Sequence, residues 1–193
     1  MKLDLMETIQ NGIQRGLKNA PALIVNGILW ALTAWIPYLN AGTTIGMANL
    51  PAKMASDENL SMTEIFNPDY RKHFGEFFIT VGLFSMGVMP AFFLVFFPGY
   101  VLSIAWSLAV LLVLDQKLEP LAALRKSNEL TYGNKWIIYF AKALPSIAIF
   151  LVVGIGFAIN DFLGGFLLLI AAIALTPINL GISAEIYKKL AKS

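Results

Sequence analysis

KWIIYFAKALPSIAIFLVVGIGFAINDFLGGFLLLIAAIALTPINLGISAEIYKKLAK, residues 135–192, reads as two apolar stretches joined by one short polar turn. The stretches cover about 136–158 and 162–184, and each is long enough to cross roughly 30 Å of hydrocarbon as a helix. The turn, around 160–165, holds Asn160-Asp161 and Gly164-Gly165 and no Lys or Arg. Lys135, Lys142, Lys188, Lys189 and Lys192 gather toward the opposite end. The pattern predicts a helical hairpin with a cation-free tip.

Further apolar runs near 22–39, 77–97 and 101–114 repeat it, with tips expected near 37–42 and 97–100. All fourteen Lys and Arg residues of the 193-residue chain fall at or near the hairpin bases. Lys and Arg are enriched in cytoplasmic loops, so the bases and both termini are expected in the cytoplasm. The sequence therefore predicts an all-α integral membrane protein of about six helices in three hairpins. It is a single domain over 1–193: an amphipathic helix over 1–18 and a transmembrane bundle over 19–193. The expected location is a bacterial cytoplasmic (inner) membrane.

Composition supports this. The chain is 58% hydrophobic and 13% charged, and its mean hydropathy of +0.70 lies outside the soluble range. The net charge of +2 is spread over both signs, which argues against nucleic acid, a partner that requires a concentrated basic surface. With no cysteine there is no disulfide and no thiolate ligand.

Along the chain, Leu3, Met6, Ile9, Ile13 and Leu17 recur at helical spacing opposite Lys2, Glu7, Gln14 and Lys18. This predicts an amphipathic helix lying on the membrane surface or packed on the protein's own loops. Pro21 starts the first span, expected to reach about Tyr38. The second helix, 41–54, has only about 14 positions, roughly 21 Å, and is read as a short or re-entrant crossing. Its Gly42 and Gly46, four apart, allow close packing on another helix, within the chain or in a homodimer. Residues 56–73 form a polar loop with a short helix near 62–66 and a turn at Asn67-Pro68-Asp69. The third helix starts at Phe74, and Pro98-Gly99 is read as the turn into the fourth. An interfacial helix begins near Pro120 and ends at Gly133; its Lys117, Arg125 and Lys126 are candidates for a cytoplasmic interface.

From Ala41 onward the order of features resembles the YciC-like group of bacterial multi-pass membrane proteins, which is related to the membrane domain beside some glycerophosphodiester phosphodiesterases. The resemblance rests on Ile65-Phe66 and His73-Phe74 closing the polar loop and on Phe97-Pro98-Gly99-Tyr100. It continues through Leu118-Glu119-Pro120-Leu121-Ala122-Ala123-Leu124-Arg125-Lys126-Ser127 and Gly133-Asn134-Lys135-Trp136, then Thr176-Pro177 and Ala184-Glu185-Ile186-Tyr187. It implies an α-helical membrane domain with amphipathic connectors and supplies no catalytic residues.

A search for chemistry returns little. Ser85 lies in Gly82-Leu83-Phe84-Ser85-Met86-Gly87, which lacks the Gly two residues before the Ser that a nucleophile elbow needs. His73 and Glu76 are too few for a metal set. Lys142 and Glu185 are read as lying near an interface, Lys142 by snorkelling. Asn26, Asn49, Ser103, Ser107 and Asn179 are candidate polar helix contacts or a polar path. No catalytic residue, cofactor or metal is expected. The expected function is a non-enzymatic membrane scaffold or accessory subunit that contacts lipid and a membrane or cytoplasmic partner. The alternative is a small-solute or lipid transporter or channel. Homo-oligomerisation is left open by the sequence.

Overall fold

The computed structural model describes residues 2–94 and 96–192. Among these the chain forms nine α-helices. They are α1 (Leu5–Lys18), α2 (Ala20–Thr33), α3 (Pro37–Ala55), α4 (Phe74–Leu94), α5 (Phe96–Ala105), α6 (Ala109–Gln116), α7 (Pro120–Thr131), α8 (Lys135–Ile159) and α9 (Asp161–Ala191). Two 3₁₀ turns, Glu64–Phe66 and Pro68–His73, carry the polar loop between α3 and α4.

Four helical segments are long and apolar enough to cross a membrane: Pro68–Leu94, Phe96–Gln116, Lys135–Ile159 and Asp161–Ala191. Their outer surfaces are bare hydrocarbon, with Phe93 90% and Phe162 85% exposed. Surfaces of that kind require a non-aqueous neighbour. The first pair is different. α2 has 14 residues, about 21 Å, and α3 has 19 but includes Asn40, Thr43, Thr44, Asn49 and Lys53.

Several local expectations are corrected. The first helix stops at Thr33 rather than near Tyr38, and the tip lies at 34–36 rather than 37–42. Pro37 is the cause: it disfavours helix in the residue before it and serves at the first turn of α3. Pro98 and Gly99 stand inside the first turns of α5, where a missing proline N–H costs no hydrogen bond. The fourth helix is not continuous. It breaks at Trp106–Ser107–Leu108 between α5 and α6.

Other punctuation holds in part, since Gly164 and Gly165, expected in the third tip, lie inside α9. Asn160 is extended between α8 and α9, and its side-chain oxygen accepts the Phe162 N–H at 2.7 Å. Gly133 closes the α7 turn with φ +78°, a conformation that glycine adopts without strain.

α1 packs chiefly on α9, and its Arg15 reaches Asp57 in the loop after α3. The buried strip is Thr8, Gly12 and Gly16, spaced by four, while Met6 and Leu17 remain more than half exposed. A Cβ on Gly12 would stand 2.6 Å from Ile182 Cα, one on Gly16 would overlap the Pro177 carbonyl, and one on Gly181 would overlap the Gly12 carbonyl. Three glycines thus bring two backbones into contact. Asp4 caps α1 by accepting the Glu7 N–H at 2.8 Å.

The main core sits at the end of the bundle where α1, α3, α6 and α9 converge. Leu23, Leu50, Leu108, Leu112, Ile182, Ile186 and Tyr187 have essentially no exposed surface there.

Candidate functional site

That same end carries most of the buried charge. Arg15, in the last turn of α1, donates from Nη1 to Asp57 Oδ1 at 2.5 Å and to the Met54 carbonyl at 2.5 Å. Its Nη2 reaches Glu185 Oε2 on α9 at 3.2 Å. One guanidinium therefore ties α1 to α9 and to the C-terminus of α3, using the planar fork that lysine lacks. Glu185 is only 4% exposed, so it is a buried carboxylate held by Arg15, with Lys189 at 3.8 Å and Asn11 at 3.4 Å. Lys188 meets Asp57 Oδ2 at 2.5 Å, and Lys189 meets Glu7 at 2.8 Å. Lys192 meets Asp115 at 3.0 Å, and the Tyr187 hydroxyl donates to the same carboxylate at 2.8 Å.

Asp57 sits at φ 58° just past α3, a left-handed position that aspartate tolerates better than most residues. The Lys188 ammonium and the Arg15 guanidinium lower its carboxyl from 3.8 to about 2. The polar loop is folded back onto the bundle. Burial pushes the Glu64 carboxyl up, but the Lys53 ammonium at 2.7 Å and the Tyr70 hydroxyl at 2.7 Å outweigh it and hold the carboxyl below its usual value.

These groups frame an open cavity of ≈ 500 Å³. Arg15, Lys18, Lys188, Lys189 and Lys192 supply five positive charges to its wall; Asp57, Glu58 and Glu185 supply three negative ones. Glu7 and Asp115 pair with Lys189 and Lys192 in turn, so Lys18 is the one cation of this wall without an ion pair among the described residues.

The residues singled out in the sequence are scattered. Asn26 is fully buried and spends its amide on backbone: it donates to the Ala22 and Ser61 carbonyls, each at 2.8 Å, and accepts the Ile65 N–H at 3.0 Å. It bolts the polar loop to α2. Asn179 donates to the Leu175 carbonyl at 3.0 Å on its own helix. The Asn49 carboxamide oxygen is buried with no hydrogen-bond partner. Ser103 donates to the Tyr100 carbonyl at 2.7 Å. Gly42 and Gly46 lie against the Arg71 side chain and the Ile65 backbone, so both face this chain's own loop.

Lys117, Arg125 and Lys126 are exposed; Lys126 is 3.9 Å from Glu129. The opposite face of α7 is buried. Its Ser127 hydroxyl donates to the Ala105 carbonyl at 2.7 Å and accepts the Leu108 N–H at 3.1 Å. It satisfies the backbone groups that the α5–α6 break would otherwise orphan.

Sequence reasoning missed Gly12, Gly16 and Gly181, although the four-residue spacing of the first pair was a readable signal. It also missed Arg15 and Ser127, whose partners are distant in sequence. Lys142 was read as snorkelling to the surface; it lines two cavities between helices. Among the described residues, no group of three or more His, Asp or Glu side chains is placed to hold a metal.

The fold and its charged end define an all-helical chain with four helices able to cross a membrane, tied together at one end by an ionic network centred on the buried Glu185. No family model, no curated protein and no solved structure matches it.

Proposed function

We propose that this chain is a non-enzymatic integral membrane protein that serves as a scaffold or accessory subunit. Its ionic end faces the cytoplasm, and it resides in a bacterial inner membrane. The observation that carries the reading is the ≈ 500 Å³ cavity with the unpaired Lys18 in its wall. Its walls come from α1, from the segment after α3 and from α9, and Arg15 cross-links all three. A pre-organised concave surface with an unpaired cation in its wall suits an acidic segment of a partner, because little ordering cost remains to be met on binding. The absence of Lys and Arg from the short turns of the sequence supports the orientation, although the polar loop carries Arg71 over the Tyr38 ring beside the first turn; the resemblance to the YciC-like group is in keeping with a multi-pass membrane domain.

The test is purification from native membranes in mild detergent. A stoichiometric partner is expected with the wild-type chain, and Lys18→Glu should weaken its retention by about tenfold, since that residue has no structural ion pair to lose. A monodisperse chain with no partner, or equal retention by the Lys18→Glu variant, sinks the reading. The transporter alternative draws on one observation, the pair of cavities that meet at Ser107 and Lys142. Solute flux through purified proteoliposomes would favour it.

A further inference from the structure

Lys142 stands seven residues into α8, about 10 Å from its start. Its side chain is at the junction of two cavities of ≈ 300 and ≈ 340 Å³. The first is lined by polar groups: Tyr100, Ser103, Ser107 and Tyr139. The second is mainly apolar, with Pro51, Phe77, Val81, Val110, Leu111 and Ile186 in its wall. Neither wall contains a carboxylate. Among the described residues the Lys142 ammonium has no ion pair and no hydrogen bond; only its backbone carbonyl is engaged, by the Ser146 hydroxyl at 3.2 Å. An ammonium without a counter-ion in such surroundings is costly, and lysines inside membrane-spanning helices normally pair or escape to the interface.

A second group at the junction is also unspent. The Ser107 Oγ is buried with no hydrogen-bond partner, and Ser107 belongs to the break between α5 and α6. Interrupted helices in membrane proteins place polar backbone and side-chain groups beside ligands. Here the interruption, the free hydroxyl and the free ammonium all converge on one space.

We propose that this space is a binding site for an anionic phospholipid. Lys142 and the Ser107 hydroxyl receive the lipid phosphate in the polar cavity. One acyl chain occupies the apolar cavity behind them. The charge of Lys142 demands an anion, the hydroxyl offers it a donor, and the adjoining hydrocarbon wall distinguishes a lipid from a soluble phosphate. The inference is independent of whether the polar end docks a partner.

The experiment uses the full-length chain in detergent, titrated with dioleoylphosphatidylglycerol and with dioleoylphosphatidylcholine and read by native mass spectrometry. The wild type should prefer the anionic lipid by at least about tenfold. Lys142→Gln should bring that preference close to one. Undiminished preference in folded Lys142→Gln overturns the proposal. So does competition by inorganic phosphate or oleate as strong as that by the phospholipid. A photoactivatable phosphatidylglycerol on the wild-type chain gives a second readout that no variant can spoil. Its labels should map to residues 100–111 and 138–146, and labels confined elsewhere overturn the site.

Discussion

α9 has two halves that differ across Pro177. Before it, Phe162, Leu169 and Ile173 are 85%, 67% and 55% exposed. After it, Ile182, Ala184, Ile186 and Tyr187 are at 0%. Both halves are rich in Leu, Ile and Ala, and the helix is continuous from Asp161 to Ala191. What differs is what lies against them: α8 alone along much of the first half, but α1, α3 and the ionic network around the second. Hydrophobicity brings a helix out of water, but packing onto a neighbouring helix is decided by small residues and by buried polar groups that need partners.

The comparison is broken most directly at its glycine contact. Gly181→Leu forces a side chain into the α1 backbone and should cost about 3 kcal/mol, at the upper end of overpacking effects, because main chain cannot swing aside. Leu169→Ala in the exposed half should change stability by no more than about 0.5 kcal/mol. Thermal unfolding midpoints in one detergent compare the two. If the midpoints fall equally, α9 is not divided as described.

Arg15→Met asks whether the ionic ties matter as much as the glycines. It leaves Glu185 buried with Lys189 as its remaining cation, and breaking a buried pair from one side costs about 3 kcal/mol or somewhat less here, since one partner stays. The double variant Arg15→Met with Glu185→Gln should recover part of that loss. No recovery in a double-variant cycle would show that Arg15 acts through packing alone.

Acid gives the smallest effect and sharpens the same contrast. Asp57 has its folded carboxyl lowered from 3.8 to about 2. Its contribution is therefore fully present above about pH 4 and is lost as pH falls from there toward 2. The Asp57 side chain is 60% exposed, so solvent screening keeps the contribution small. In Asp57→Asn the unfolding midpoint should fall less steeply over that interval than in the wild type. An identical acid slope in both proteins would remove Asp57 from the network's stabilising role.

Much of the fold was legible from particular residues. The apolar runs read as about six helices in three hairpins, of which four are long and apolar enough to cross a membrane. Asn160 marked the turn between α8 and α9 through its capping oxygen, and Pro120 and Gly133 bracketed α7. Pro37 misled only by being assigned to the turn rather than to the first turn of the following helix. The break at 106–108 was illegible for a physical reason. Trp106-Ser107-Leu108 contains neither Gly nor Pro, and the interruption is supported by Ser127, about twenty residues later in the chain. The role of α1 was hidden in another way, because its apolar stripe advertised a surface helix while its glycines made the buried contact.

The sequence by itself determined that the chain is helical, where its long apolar runs lie, and that no Lys or Arg stands within the expected turns. Those are properties of runs and local punctuation, and they need no neighbour to exist. Only the tertiary structure decided that Gly12 and Gly16 meet Gly181, that Arg15 holds Glu185, and that Lys142 and Ser107 share one space. Each of those depends on groups brought together from distant parts of the chain, and apolar side chains bound for lipid look the same in sequence as those bound for protein.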